Sequence, residues 1–332
     1  MTNITRRTAI AGLSAAATLP IIGSPAFAQT KTKLTVGALR FTSHAASFVA
    51  KERGYFDEAG LDVDFAFFQA AQPMAVAIAS GDADFAVTAI SGGLVSLAQK
   101  DAVRVIAGAL REEKGVDGQK ILVSDAAFQA GVKTPKDLDG KAWAVTQAGS
   151  SFHYMGSKIA AAEGVTLEFK PLQKVGAIIG ALKSGQVDAW SIVPHIAKPL
   201  SGGGAVHIIG NVADYLPDYQ VTTVFTSKAT AEGEEEKARA FLAAFQKGAD
   251  DFNAALVDKT AGDEAAEDMV KLIHKYVYTD RPYEKAKPSI VNGAMRITTE
   301  MNKASVDDQL AWYDSEGLVT GDMSMVVDGR YL

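Results

Sequence analysis

The segment Gln147-Ala148-Gly149-Ser150-Ser151-Phe152-His153-Tyr154 places hydroxyl donors where a strand hands over to a helix. Ala142–Thr146 before it has strand composition, and Phe152–Glu163 after it reads as a helix. The first N–H groups of a helix lack intrahelical partners and carry the positive end of its dipole. This spot, with Gly149 in its loop, therefore favours an anionic head group, and Ser150 and Ser151 add hydroxyl donors. The same serines are good N-caps, and capping alone would also explain them.

Other candidates follow other strands. Arg40, Phe41, Ser43 and His44 leave the strand Lys33–Leu39. An arginine there would make a charge-assisted contact to a carboxylate or sulfonate, or would be a solvated surface residue. Thr88 follows the strand Phe85–Val87, and Ser91-Gly92-Gly93 opens a second helix N-terminus. Trp190 and His195 hold the matching place later in the chain; Trp190 would cover a ring or alkyl chain, or fill a core. Gln69 and Gln173 leave strands at equivalent points, so a shared structural cause competes with ligand contact. Arg111 would close over an anion or serve a hinge. The aromatics Phe41, Phe152, Tyr154 and Trp190 point to a ligand with an apolar or ring portion. Among the five histidines only His44, His153 and His195 could converge on one cleft, and none shows close metal-ligand spacing. No metal or other cofactor is expected. There is no G-x-S-x-G elbow and no P-loop, and Gly202-Gly203-Gly204 reads as a plain loop.

The elements that must position these residues are written twice. Residues 58–88 and 162–192 align without a gap, so that Gly60, Phe65, Gln69 and Ala77 meet Gly164, Phe169, Gln173 and Ala181. Ser80, Gly81 and Asp84 meet Ser184, Gly185 and Asp188. Each copy is an apolar strand, a helix ended by Ser-Gly and a second short strand. That is a β-α-β unit with parallel strands, whose ligands lie beyond the carboxyl ends of the strands. Two such units predict two lobes with a cleft between them. Glu112–Gln119 reads as one crossing between lobes and Val221–Thr226 as the return strand. From Glu232 onward the pattern is helical and should buttress the first lobe.

Composition narrows the class. Thr5-Arg6-Arg7-Thr8, an apolar stretch from Ala9 to Ile22 and Ala26-Phe27-Ala28 read as a twin-arginine export signal over residues 1–28, with an ordinary secretory signal as the alternative. Either predicts a periplasmic protein. Losing Arg6 and Arg7 takes the net charge from −6 to about −8, which argues against a nucleic-acid partner. The chain has no cysteine, so disulfides, thiolate metal sites and a lipid-modified anchor are excluded. No membrane anchor and a monomer are expected.

Gly54-Tyr55-Phe56-x-x-x-Gly60-Leu61-x-Val63, Ser80-Gly81-x-Ala83-Asp84, Pro135-x-Asp137-Leu138-x-Gly140-Lys141 and Ser184-Gly185-x-Val187-Asp188-Ala189 together resemble the solute-binding proteins of ABC importers. The resemblance is to the NMT1/THI5-like branch, which includes taurine, alkanesulfonate, nitrate and thiamine-precursor binders, and it covers roughly residues 33–320. It implies an α/β, type II periplasmic-binding fold: two α/β lobes, two crossing strands and a helical C-terminal tail on lobe one. Lobe one would be residues 29–117 plus 224–332, and lobe two residues 118–223. It implies a binder of a small organic anion, sulfonate before carboxylate, that serves an ABC permease and its ATPase. It also implies that the Gly149–His153 loop helps hold the anion. A neutral heterocycle such as a pyrimidine precursor is the alternative ligand. An enzyme of pyrimidine synthesis is a weaker alternative, because such relatives depend on a cysteine-rich segment and iron.

Overall fold

The residues that recur in the two copies do the same backbone work in each. The Asp84 carboxylate accepts the Thr35 N–H at 2.7 Å, and Asp188 accepts the Ala142 N–H at 2.8 Å. Ser80 and Ser184 each return a hydroxyl to the carbonyl three residues back. Gly81 and Gly185 take φ of 82° and 73°, the left-handed turn that ends each helix. The repeat is thus a folding instruction for the joint between helix and second strand.

A computed structural model describes residues 31–332. The export signal expected over residues 1–28 lies outside the described residues. The strands are β1 (Thr32–Ala38), β2 (Leu61–Phe67), β3 (Phe85–Thr88), β4 (Val103–Gly108), β5 (Lys120–Ser124), β6 (Lys141–Val145), β7 (Leu167–Pro171), β8 (Ala189–Ile192), β9 (Val206–Asn211) and β10 (Thr223–Ser227). The helices of the first half are α1 (Ala45–Glu52), α2 (Tyr55–Glu58), α3 (Ala71–Ser80), α4 (Gly92–Gln99), α5 (Asp125–Gln129) and α6 (Ser151–Glu163). The later ones are α7 (Val175–Lys183), α8 (Pro194–Gly202), α9 (Lys228–Gly233), α10 (Glu235–Phe252), α11 (Asp263–His274), α12 (Tyr283–Val291) and α13 (Lys303–Ser315).

The strands form two five-stranded mixed sheets, ordered β2-β1-β3-β10-β4 and β7-β6-β8-β5-β9. The orders correspond position by position. In each sheet the first three strands are parallel. The fourth strand is antiparallel and arrives from the other half of the chain: β10 enters the first sheet and β5 the second. The two crossing segments run side by side. Glu112 N–H donates to the Tyr219 carbonyl at 2.9 Å and Ala109 N–H to Thr222 at 3.0 Å.

The core of the first unit is aromatic: Phe241 of α10 stacks on Phe85 of β3, with centroids 4.1 Å apart, and on Phe56 of α2. Burying such rings contributes about 2 kcal/mol each and holds α10 against the sheet. The C-terminal tail reaches further than a buttress of the first unit. α10 covers α1 and α2 and α11 packs on α1, but α12 and α13 reach the second unit. Asp308 of α13 accepts from Tyr154 and from Lys158 of α6, and Lys198 of α8 donates to the Asn292 carbonyl at 2.9 Å. At Gly293 a Cβ would lie 2.1 Å from the His195 Cβ, so only glycine lets the chain after α12 pass α8 at this distance. Among the described residues three large apolar side chains are exposed, Val76 on α3, Ile208 on β9 and Leu332 at the end of the chain.

Candidate functional site

The strand ends and helix starts meet at a small chamber of about 60 Å³. Four helical starts supply its wall: Ser43 and His44 before α1, Ala70 and Ala71 at α3, Ser150, Ser151 and Phe152 at α6, and Val175 at α7. The N-cap residues of α3, α6 and α7 make no side-chain capping bond; at α7 the first N–H, that of Val175, is instead taken by the Gln69 carbonyl. Thr88 at the end of β3, Thr146 just past β6, and Gln119 and Thr222 on the two crossings complete the polar lining.

No lysine, arginine, aspartate or glutamate lines this chamber; its only titratable side chain is His44. Burial lowers the pKa of His44 to about 3, so the ring is neutral. Its Nδ1 accepts the Leu39 N–H at 3.4 Å, which leaves Nε2 as the protonated nitrogen. Two buried polar atoms of the lining have no protein partner, the Ser150 Oγ and the Gln119 Nε2. A buried donor without a partner costs about 1–3 kcal/mol, so each is a free attachment point for an acceptor. The chamber therefore offers neutral hydroxyl, amide, imidazole and helix N–H donors, a set suited to a compact acceptor-rich head group.

A wider cavity of about 750 Å³ adjoins it, sharing Leu39, Phe41 and Val175. Arg40 lines this outer cavity and not the chamber. Its guanidinium lies 3.8 Å from the Phe67 ring centroid and donates to the Tyr276 carbonyl, so the backbone after β1 turns it outward. Gln69 also lines the outer cavity, where its carbonyl accepts from Val175 N–H of the other unit at 3.4 Å. His195 is a wall of the outer cavity. The Tyr278 hydroxyl donates to the His195 carbonyl at 2.7 Å and stands 2.9 Å from its Nδ1. Burial and the neighbouring His44 lower the pKa of His195 to about 3.

Four sequence candidates stand elsewhere. The Ser91 Oγ accepts the Leu94 N–H at 3.2 Å and is the N-cap of α4. Gly149, at φ 72°, gives its carbonyl to Gly92 N–H at 2.9 Å and to the Tyr313 hydroxyl, joining the two units beside the chamber. His153 is turned beneath its own loop, accepting the Gly149 N–H at 3.1 Å and packing on Phe169 and Trp312. Trp190 is fully buried in β8 and meets Phe152 edge-on; it backs a chamber residue and does not line the chamber. Phe41, Ser43, His44, Thr88, Ser150, Ser151 and Phe152 do come together there.

Gln119, Thr146 and Thr222 line the chamber without having been singled out in the sequence. Thr146 ends a strand and so carried a signal; the other two lie on crossings, whose residues meet the cleft only because the crossings pass beneath it. Behind Gln119 sits Glu112, whose Oε1 accepts the Gln119 N–H at 2.9 Å. Burial pushes its carboxyl up to about 7. Among the described residues no group of three or more His, Cys, Asp or Glu is placed to hold a metal ion, and no helix is long and apolar enough to cross a membrane.

Comparison with known proteins matches this geometry to a family. The family model described as NMT1/THI5 like covers residues 41–255. No curated protein sequence matches the chain. Among solved structures, the alkanesulfonate-binding protein SsuA of Xanthomonas axonopodis pv. citri bound to MOPS aligns with a TM-score of 0.68 at 17% identity, over 89% of this chain and 96% of that one. The periplasmic aliphatic sulphonate binding protein SsuA of Escherichia coli gives 0.69 at 19%, over 89% and 92%. The periplasmic nitrate-binding protein NrtA of Synechocystis PCC 6803 gives 0.68 at 14%, over 89% and 84%. The match runs from the start of the cleft loops through the second sheet and past the end of α10, and with it the chain belongs to the NMT1/THI5-like family and carries the periplasmic binding protein fold.

Proposed function

We propose that this protein is the extracytoplasmic solute-binding subunit of an ABC importer, holding a small organic anion, sulfonate before carboxylate, in the chamber between its two sheets. The observation that carries this reading is the pair of buried, unpartnered polar atoms, Ser150 Oγ and Gln119 Nε2, in a chamber walled by helix starts. The first sheet with its helices (residues 29–117 and 224–332) acts as one lobe and residues 118–223 as the other. Ser43, His44 and Thr88 come from the first lobe, and Thr146, Ser150 and Ser151 from the second. A ligand touching both sets makes its full contacts only when the lobes are closed, so it stabilises that state, which a permease would then recognise. The structural neighbours that bind alkanesulfonates and nitrate agree with an anion. The export signal read in residues 1–28 agrees with a periplasmic location.

A neutral heterocycle is a second reading. It is favoured by the absence of any cation in the chamber lining and by Phe41 and Phe152 on its wall. A thermal-shift screen of aliphatic and aromatic sulfonates, carboxylates, nitrate and pyrimidines tests both. A ligand at a hundred times its dissociation constant adds about 2.7 kcal/mol to folded-state stability. A shift with sulfonates or carboxylates supports the anion reading; a shift with pyrimidines alone replaces it.

A further inference from the structure

The outer cavity is lined by three cations, Arg40, Lys183 and Arg281, and by no carboxylate. That is unusual in a chain whose formal net charge is −6. Of the eight arginines among the described residues, six are in ion pairs. The two that are not, Arg40 and Arg281, both line this cavity. Each is laid over an aromatic ring, Arg40 at 3.8 Å from the Phe67 centroid and Arg281 at 4.7 Å from that of Tyr278. Stacking occupies the face of a guanidinium and leaves its in-plane N–H groups for a planar or trigonal anion. Only one of Arg40's donors is engaged, with the Tyr276 carbonyl at 3.2 Å. Lys183 faces them from α7 of the other unit. The floor between chamber and cations is apolar: Leu39 and Phe41 line both cavities.

We infer that the ligand has two charged ends. A compact head enters the chamber, an aromatic body lies against Phe41, and a second anionic group is held by Arg40 and Arg281 in the outer cavity. This rests on the reading of the chamber as an anion site and narrows it to aromatic dianions, such as a sulfobenzoate or a benzenedicarboxylate. Lys183 adds charge from the other lobe, so the second anionic group also draws the lobes together.

Calorimetry on matched pairs tests this: 4-sulfobenzoate against benzenesulfonate, and terephthalate against benzoate, at low salt. The expected result is at least one pair in which the dianion binds ten times or more tighter than its monoanion, with the ratio shrinking as salt is added. In Arg40→Gln/Arg281→Gln that ratio should fall to about threefold or less, and in Arg40→Lys/Arg281→Lys only part of it should return, because lysine lacks the planar fork. Both arginines are exposed and outside ion pairs, so the variants should fold; circular dichroism checks this. Equal affinities within each pair in the unaltered protein would overturn the two-ended ligand and leave the chamber reading standing. So would a dianion preference that survives loss of both arginines. Binding of no member of any pair would overturn the aromatic two-ended ligand, and the chamber reading would then stand or fall on the aliphatic sulfonates and carboxylates of the thermal-shift screen.

Discussion

α4 and α6 begin beside each other, joined by the bond from Gly92 N–H to the Gly149 carbonyl, and each has a serine at its N-cap. The two serines share an extended backbone, at φ −134° for Ser91 and −79° for Ser150, yet they are used differently. Ser91 turns its hydroxyl onto its own helix and accepts the Leu94 N–H. Ser150 makes no capping bond; its hydroxyl is buried against the chamber and has no protein partner. Residue type, position and exposure are the same in both. The difference lies in what faces the hydroxyl, and it separates a helix start that is complete in itself from one whose hydroxyl is left free for the proposed ligand.

The largest expected effect is on affinity at the second serine. Ser150→Ala/Ser151→Ala should weaken the anion selected by the screen by about 100-fold, at about 1.5 kcal/mol for each charge-assisted hydrogen bond lost. Thermal unfolding should hardly change, since the Ser150 hydroxyl supports nothing in the protein. Calorimetry reads the first and a melt the second; unchanged affinity would break the comparison.

Acid probes the same side. His44 and His195 sit near 3 against an ordinary 6.5, so the unfolded chain binds more protons than the native one between those values and stability falls as pH drops. Glu112, held near 7 against an ordinary 4.5, has the opposite sign: the native form keeps its proton, and stability rises as pH drops from 7 toward 4.5. Burial lowers His153 as well, so three histidines act against one carboxyl and stability falls on balance as pH drops from 6.5 to 4.5. In Glu112→Gln the opposing contribution is gone and the slope should steepen by about 1.4 kcal/mol per pH unit, read by urea unfolding at pH 6.5, 5.5 and 4.5. A slope unaffected by the substitution would return Glu112 to an ordinary solvated carboxylate.

Gly149→Ala should cost about 1–2 kcal/mol, because residue 149 holds φ 72° and its new Cβ would lie 3.4 Å from the Tyr313 ring and 3.5 Å from Gly92. Affinity should fall with it as the α6 start shifts. Smallest is Ser91→Ala, which removes a cap worth about 1 kcal/mol and lowers the melting temperature by a few degrees, with affinity within twofold. An affinity loss as large as that of the Ser150 pair would mean that both helix starts serve the ligand.

Much of the architecture was legible because the chain repeats itself: Asp84 and Asp188 sit at the same joint in both copies and bond the same kind of backbone group. The loops that follow strands were legible for the same reason, since parallel strands send their carboxyl ends to one edge. Which side chains turn inward was not. Alternation cannot say it for β8, which is buried on both faces and hides Trp190. His153 lies one residue past a lining phenylalanine, but the helical turn carries it under the loop to Gly149. Arg40 has a ring to lie on, and Phe67 comes from a strand paired to its own. Gln119 and Thr222 belong to segments that look like connectors, and nothing local marks the chamber they cross. The reach of the tail was hidden too, because an amphipathic helix records that it is covered and not what covers it.

Val76 and Ile208 stand exposed on different units, on α3 and β9, in a chain without a single cysteine. A thiol introduced at each position would be one of only two in the molecule, and neither replacement empties a core site. Spin labels attached there turn the separation of the units into a directly measured distance distribution, so closure by any candidate compound can be read as a length, on the otherwise unaltered chain and without knowing how tightly the compound binds.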